Sequence, residues 1–333
     1  MNIIQRKEAF TKLGNWFINL NEEDLAGIVF KAHAENPWFN AQSILEALNG
    51  LGEMLSESEI ERFCKQYYLT DSVQTKIGIV MAGNIPAVGF HDLMIVLLAG
   101  AKAVIKFSSQ DKEVMMFILN KLIEIEPAFA KCVTPTLRMN LDELDGVIAT
   151  GSDNTARYFE QYFGRIPNII RKNRSSIAVL TGDETDEELD ALGKDVFRYY
   201  GLGCRNVSKL LVPTDFDMVH LLDHLQPEKY VQYHSKFDNN YTYYKSIFLV
   251  NGDEHLDTGY SLFKPDDRLV SPISVVFYQK YDSLENVNSY IEENEEKIQC
   301  VVGKNYIPFG QAQSPIIDDY ADGVDTMQFV LGL

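Results

Sequence analysis

Ile77-Gly78-Ile79-Val80-Met81-Ala82-Gly83-Asn84-Ile85-Pro86 is the stretch on which the fold turns. Five apolar residues run straight into a turn built from glycine, asparagine and proline. That pattern predicts a short strand buried on both faces, since a half-exposed strand would alternate. The pattern then repeats. A helix is expected over about 89–100, a second strand at Ala103-Val104-Ile105-Lys106-Phe107 and a helix over about 111–125. A third strand at Gly146-Val147-Ile148-Ala149-Thr150, a helix over 153–163, a fourth strand at 176–180 and a helix over about 185–200 follow. Apolar strands alternating with helices imply an α/β fold with a Rossmann-type parallel sheet covered on both faces. Ligands of such sheets sit beyond the carboxyl ends of the strands, which marks the loops 82–88, 106–111 and 150–155. No Gly-x-Gly-x-x-Gly follows the first strand, so the alternation by itself supports only an open α/β sheet.

Working outward, residues 1–70 read as a helical N-terminal region. Trp16, Phe17 and Leu20, then Ile44, Leu45, Leu48 and Leu51, recur at helical spacing. Ser56, with Glu59 three residues on, is an expected helix start. Past 205, strand-like runs at 207–212, 246–250 and 273–278 alternate with helical stretches near 217–225 and 283–297, the mark of a second α/β domain. The expected division is 1–190 for the helical region and nucleotide-binding domain, 191–305 for a catalytic domain, and 306–333 for a C-terminal tail without a strong period.

The chain has 333 residues and a net charge of -18. Such a charge repels phosphate backbones and argues against nucleic acid or an anionic membrane surface as a partner. The longest apolar run, 93–101, stops at Lys102 and is too short to span a bilayer. The first ten residues hold no apolar signal core. Cys64, Cys132, Cys204 and Cys300 are scattered, with no Cys-x-x-Cys, which suits a reducing compartment, and a cytoplasmic location is expected.

Cys204 is the candidate reacting atom. It lies in Tyr199-Tyr200-Gly201-Leu202-Gly203-Cys204-Arg205-Asn206-Val207, between an expected helix and strand. Glycines allow a tight turn and close approach of a ligand, and an adjacent arginine favours the thiolate, the nucleophilic form. The same residue also reads as a small buried hydrophobe. Asn84, in the turn after the first strand, carries an amide able to donate to an oxygen that gains charge in acyl transfer, or serves the turn alone. Lys106 and Ser108 end the second strand and suit a ribose or phosphate. Gly151 and Ser152 open a helix, as an anion site or a plain cap. Arg165, Arg171, Lys172 and Arg174 form a basic cluster, a candidate grip for phosphates or a coenzyme A tail as well as a solvated face. His91 is a candidate general acid. His220 and His224 are four apart on an expected helix. With no matching acid or third histidine at metal spacing they read as an amphipathic face, and no metal is expected. Asp266-Asp267 before Arg268 reads as a solvated turn.

In order along the chain, these pieces resemble the aldehyde dehydrogenase superfamily. Gly83-Asn84-Ile85-Pro86 is similar to that family's asparagine-aromatic-proline turn, whose asparagine is the oxyanion donor. Val104-Ile105-Lys106-Phe107-Ser108 is similar to its valine-leucine-lysine-proline-serine strand end, whose lysine contacts the adenosine ribose. Ala149-Thr150-Gly151-Ser152 looks like its glycine-serine turn near the cofactor phosphates, and Gly201-Leu202-Gly203-Cys204 like its nucleophile segment. The 155–159 helix and the 170–176 segment resemble the acyl-CoA reductase (LuxC-like) branch. The likeness covers about 75–215 and is weaker over 265–330, where 309–315 resembles the family's C-terminal glycine-rich signature. Two departures stand out. Ile170 falls where aldehyde dehydrogenases carry the glutamate that activates water, which argues against acid production. Arg268 falls where a glutamate steadies the nicotinamide ribose.

The resemblance implies an acyl-CoA reductase that uses NADPH, or NADH, to reduce an acyl thioester to an aldehyde. Cys204 would carry the acyl group and Asn84 with the Cys204 N–H would hold the oxyanion. Lys106 and Ser108 would take the adenosine end of the cofactor, and Gly151 and Ser152 its phosphates. The substrate expected is acyl-CoA or another acyl thioester, and the assembly a homo-oligomer or multi-enzyme complex. The alternatives are an aldehyde dehydrogenase running oxidatively and a catalytically silent scaffold of the same fold.

Overall fold

Four helices open the chain, α1 (Ile3–Ile18), α2 (Glu22–Glu35), α3 (Ala41–Met54) and α4 (Glu57–Cys64). Each starts on a capping side chain. Asn2, Asn21, Asn40 and Ser56 accept from the N–H of Gln5, Asp24, Ser43 and Glu59 respectively, which satisfies donors that a helix start leaves orphaned. The structure, a computed structural model, describes residues 1–71 and 74–333. The described residues divide into two units, 1–173 with 315–333, and 174–314.

In the first unit, β1 (Lys76–Val80), α5 (Phe90–Ala99), β2 (Lys102–Lys106), α6 (Lys112–Ile125), β3 (Val133–Pro135), β4 (Gly146–Thr150), α7 (Asp153–Phe163) and β5 (Asn168–Arg171) follow one another. The strands form a parallel sheet in the order β3-β2-β1-β4-β5. The first strand of the opening stretch is therefore central. Helix α5 is buried on every side, from Leu93 to Ala99. The long apolar run is thus a core helix wrapped by protein. Phe10 of α1 meets Phe90 at 6.3 Å and Phe129 at 5.6 Å, so the N-terminal helices share one core with the sheet.

The second unit holds β6 (Ser175–Val179), α8 (Asp186–Phe197), β7 (Val207–Pro213), α9 (Met218–His224), α10 (Ser235–Asn251), β8 (Leu256–Asp257), β9 (Leu262–Pro265), β10 (Val275–Tyr281), α11 (Leu284–Glu293) and β11 (Ile298–Val302). Its sheet runs β11-β6-β7-β10-β9-β8, parallel except for the β8–β9 pair.

Three expectations change here. The fourth strand of the alternating series belongs to the second sheet, since β6 pairs with β7 and β11. The division between units accordingly falls at 173/174, and position 190 lies inside α8. The run 246–250 is the last turn and more of α10, which ends on the left-handed Gly252 (φ 69°). Only Phe248 of its apolar residues is buried, while Leu249 and Val250 face solvent. Four apolar residues in a row, Ile247 to Val250, satisfy a strand or a helix end equally, and the preceding polar turns decide the matter. Residues 315–333 return to the first unit, where α12 (Thr326–Leu331) buries Met327 and Val330.

Candidate active site

The backbone before Cys204 is tightly wound. Tyr199, Tyr200 and Gly201 are all left-handed, with φ of 52°, 59° and 75°. The two tyrosines cost about 1 kcal/mol or more each in that region, so packing must hold them there. Both are buried, and the Tyr200 ring lies 4.5 Å from that of His234. The sharp reversal brings Cys204 to the amino end of β7, half-buried.

Asn206 pins this loop. Its Oδ1 accepts from the Gly203 N–H (2.8 Å), and its Nδ2 donates to the carbonyls of Arg198 (2.8 Å), Asp195 (3.1 Å) and Val196 (3.3 Å). Ser176 Oγ donates to the Cys204 carbonyl (3.0 Å). Asp195, fully buried on α8, accepts from the N–H groups of Gly310 (2.6 Å) and Ala312 (2.9 Å). Arg205 Nε donates to the Ala312 carbonyl. Gly310 and Ala312 are thereby tied to the cysteine loop within the same unit. Burial pushes the Asp195 carboxyl up to about 6, against the two N–H donors and the Arg198 and Arg205 charges. A cavity of about 30 Å³ behind the loop, lined by Tyr200, Asn206 and Phe237 among others, has room for a water and not for an acyl chain.

The other thiols are worse nucleophile candidates. Cys64 and Cys300 are buried, and burial drives the Cys64 thiol up to about 11. Cys132 Sγ donates to the Ala128 carbonyl at 3.6 Å.

The five remaining candidates gather on the first unit, at the carboxyl ends of the adjoining strands β2, β1 and β4. Asn84 is exposed in the turn after β1. The turn is fixed from beneath. Asp111 Oδ1 accepts from the N–H of Ala87 (3.2 Å), itself left-handed at φ 59°, and Asn36 Nδ2 reaches the Gly83 carbonyl at 3.5 Å. A side chain at Gly83 would run into Ser108 Oγ, so the turn and the β2 end touch only because that residue is glycine. Burial holds the Asp111 carboxyl well above the carboxylate range, with the Ala87 N–H opposing.

Lys106 is exposed and makes no ion pair among the described residues, and Ser108 Oγ accepts from the Gln110 N–H (3.2 Å) with its own proton left to give. Both fit a ribose or phosphate at this edge. Gly151 does not act as a donor, because its N–H already bonds the Arg171 carbonyl (3.2 Å). A Cβ there would meet Thr155 and Phe159 at 3.0 Å, so Gly151 serves the close approach of α7. Ser152 caps that helix, its Oγ accepting from the Thr155 N–H (3.3 Å). The N–H groups of Asp153 and Asn154 take no acceptor among the described residues, although the Asp153 carboxylate stands beside them.

Several sequence candidates are spent on structure. Arg171 is buried, ion-paired with Asp92 and bonded to Thr326 Oγ1 (2.9 Å). Lys172 pairs with Glu160 (2.9 Å), and Arg174 donates to the Ile298 carbonyl (3.0 Å). The basic cluster is dispersed, with Arg165 alone left exposed and unpaired among the described residues. His91 Nε2 donates to the Ile317 carbonyl (2.7 Å), a structural bond that occupies that proton, and burial pushes its pKa down. Arg268 is held by Asp266 (2.6 Å) over the Phe277 ring. Ile170 packs against the apolar cluster of Val80, Leu144 and Phe163.

Sequence reasoning missed Asp111, Asn36, Ser176 and the roles of Asp195 and Asn206. One signal was present. Asp195 follows Leu189 and Leu192 on the apolar stripe of α8, where an acid has no place unless it is bonded. Lys209 gave none. It is buried in β7, bonded to Gln279 Oε1 (2.6 Å) and the Asp267 carbonyl (2.9 Å), and burial lowers it to about 8.

Residues 22–222 match the sequence profile of the acyl-CoA reductase (LuxC) family. No curated protein matches the chain in sequence. In fold the chain is similar to an NAD-dependent aldehyde dehydrogenase from Sinorhizobium meliloti, with a TM-score of 0.67 at 11% identity over 91% of this chain and 70% of that one. It is likewise similar to succinic semialdehyde dehydrogenase from Streptococcus pyogenes, solved in complex with NADP+, with a TM-score of 0.65 at 13% identity over 86% and 74%. No described helix is long and apolar enough to cross a membrane.

Proposed function

The chain belongs to the LuxC family of acyl-CoA reductases, oxidoreductases acting on the aldehyde or oxo group, and on that premise we propose that Cys204 carries the acyl group while the first sheet's carboxyl edge holds the nicotinamide cofactor. The observation that carries this reading is the cysteine loop. Three consecutive left-handed residues and a fully bonded Asn206 hold one half-buried thiol at a strand end, where the other thiols are buried or bonded within a helix-like turn. Backbone strain so heavily supported is what a positioned reacting group needs.

In the proposed reaction the Cys204 thiolate adds to the carbonyl carbon of an acyl thioester. The bond from that carbon to coenzyme A sulfur breaks and the coenzyme A thiolate leaves. The Asn84 amide and the Cys204 N–H are the proposed donors to the oxyanion. When bound, the cofactor supplies a hydride for the thioester carbon. Collapse then frees the aldehyde and returns Cys204 as a thiolate. Lys106 and Ser108 are proposed to take the adenosine end, with NADPH preferred because an exposed ammonium beside a hydroxyl suits a 2′-phosphate. Gly151 and Ser152 are proposed to line the phosphate end, Gly151 by having no side chain. Ile170 offers no base for water, which favours release as aldehyde over acid. The cytoplasm suits a chain whose four cysteines are all thiols.

Intact-mass spectrometry after incubation with acyl-CoAs tests the proposal. One acyl adduct is expected, lost in Cys204→Ala, with aldehyde production falling at least about 10³-fold. An adduct that survives the substitution, or acid formed from free aldehyde without coenzyme A, overturns it.

A further inference from the structure

Helices α8 and α9 bring together four side chains that the proposed reaction does not use. His220 and His224 lie one turn apart on α9. Asp186 stands at the start of α8 and Asp190 one turn further along it. One oxygen, Asp186 Oδ1, lies 3.5 Å from His220 Nε2 and 3.3 Å from His224 Nε2. The remaining nitrogen of His224, Nδ1, lies 2.9 Å from Asp190 Oδ1. All four belong to the second unit. The sequence offered the histidine pair without an acid, and the fold supplies the acid from a different helix.

The lengths separate two kinds of contact. A charge-assisted N–H···O bond spans about 2.7–2.9 Å, and the Asp190 contact fits. The two Asp186 contacts are longer. With zinc-to-nitrogen and zinc-to-oxygen bonds of about 2.0–2.2 Å, the edges of a tetrahedron around the ion come to about 3.3–3.6 Å. The Asp186 contacts have that length.

Proton placement makes the same point. The Asp190 carboxylate only accepts, so Nδ1 of His224 carries a proton. In the neutral ring Nε2 then presents a lone pair, and it presents it to an Asp186 oxygen. In that form the ring nitrogen and the Asp186 oxygen, 3.3 Å apart, are both acceptors that one cation can bridge. Imidazole on a carboxylate is also the common outer support of zinc-bound histidine, fixing the tautomer and raising the basicity of the ligating nitrogen.

We propose that His220 Nε2, His224 Nε2 and the Asp186 carboxylate form a three-ligand site for a zinc-class divalent cation, with a water completing the tetrahedron and Asp190 as a positioning residue. Two imidazoles select against magnesium and calcium, which take oxygen ligands. Asp186, His220 and Asp190 are 70%, 52% and 53% exposed at their side chains, so an ion reaches the site from solution. The net charge of -18 concentrates cations around the chain. The bound ion would clamp α9 to the start of α8, the helix whose far end feeds the left-handed turn before Cys204.

Titration of the metal-free full chain with zinc chloride and cobalt chloride tests this. One equivalent of zinc is expected to bind, unaffected by millimolar magnesium. Affinity should fall at least about a hundredfold in His220→Asn and in His224→Asn, and about tenfold in Asp190→Asn. Cobalt should give the visible bands of a four-coordinate site without a thiolate charge-transfer band. Binding unchanged in both histidine variants, a thiolate band that assigns the metal to cysteine, or no saturable binding overturns the proposal. Melting curves of the metal-free variants check folding. If His224→Asn does not fold, His220→Asn, at a half-exposed position, decides.

Discussion

The turn after β1 and the loop before β7 are built on one plan from opposite ends of a strand. Each carries a side chain proposed for the reaction on backbone held by buried polar groups. In the first region Asp111 and Asn36 hold the Asn84 turn at the carboxyl end of a parallel sheet, with Gly83 packed close to Ser108. In the second, Asn206, Ser176 and Asp195 hold the Cys204 loop at the amino end of another. The difference lies in how the chain gets there. A strand's carboxyl end opens naturally into a ligand crevice, so the Asn84 turn needs a single left-handed residue, Ala87. An amino end is entered from a helix, and α8 must reverse through Tyr199, Tyr200 and Gly201 to present the thiol. The carboxyl-end rule therefore points to one half of the proposed chemistry and is blind to the other, where strain is the better marker.

The comparison breaks most visibly at Asn84. If the first region exists to carry that amide, Asn84→Ala should lower kcat for thioester reduction by about 10²–10³-fold, the usual cost of an oxyanion donor. The side chain is exposed, so the melting temperature should stay put. A loss below tenfold would leave the turn with a structural role only, and the two regions would not share a purpose.

What was legible in the sequence follows the same divide. The strand Ile77 to Met81 and its turn announce themselves, because a fully apolar strand followed by Gly-Asn-Ile-Pro has few other uses. Cys204 stood out as a candidate through its glycines. The assignment of β6 was not, since its five residues are as apolar as those of β1 and only its hydrogen bonds to β7 and β11 say which sheet it joins. The supporting residues were hidden for a related reason. Asn206 and Asp111 are polar residues next to turns, where polar residues are ordinary, and only burial reveals that they hold backbone. The basic cluster misled in the opposite sense. Arg171 looked available for phosphates and is locked on Asp92 inside the core.

The second region can be sharpened through Asp195. Burial raises its carboxyl from 3.8 to about 6 in the folded chain. A group raised on folding contributes stability that is full below its unfolded pKa and lost as pH rises through the folded one. The native state should therefore lose about 3 kcal/mol from this group between about pH 4 and pH 6, at 1.36 kcal/mol per unit. Asp195→Asn removes the titration. Urea unfolding of both proteins from pH 4.5 to 7 should show the wild type losing stability relative to the variant. A pH-independent difference would mean that the Gly310 and Ala312 N–H groups stabilise the anion fully, and that the segment bracing the cysteine loop rests on an ionised carboxylate.

The smallest effect belongs to Lys106. Its ammonium stands exposed at the end of β2, without an ion pair among the described residues. A single charge-assisted contact from such a position to a 2′-phosphate contributes roughly 1.5 kcal/mol, so Lys106→Ala should raise KM for NADPH about tenfold and for NADH much less. Because the contact is exposed, added salt should shrink the difference between wild type and variant. Steady-state kinetics with each cofactor at low and high ionic strength measure both. Equal losses for NADH and NADPH would move the lysine from the phosphate to the ribose, and the carboxyl edge of the first sheet would then hold its cofactor by hydroxyl recognition, with Ser108 rather than the ammonium setting the choice.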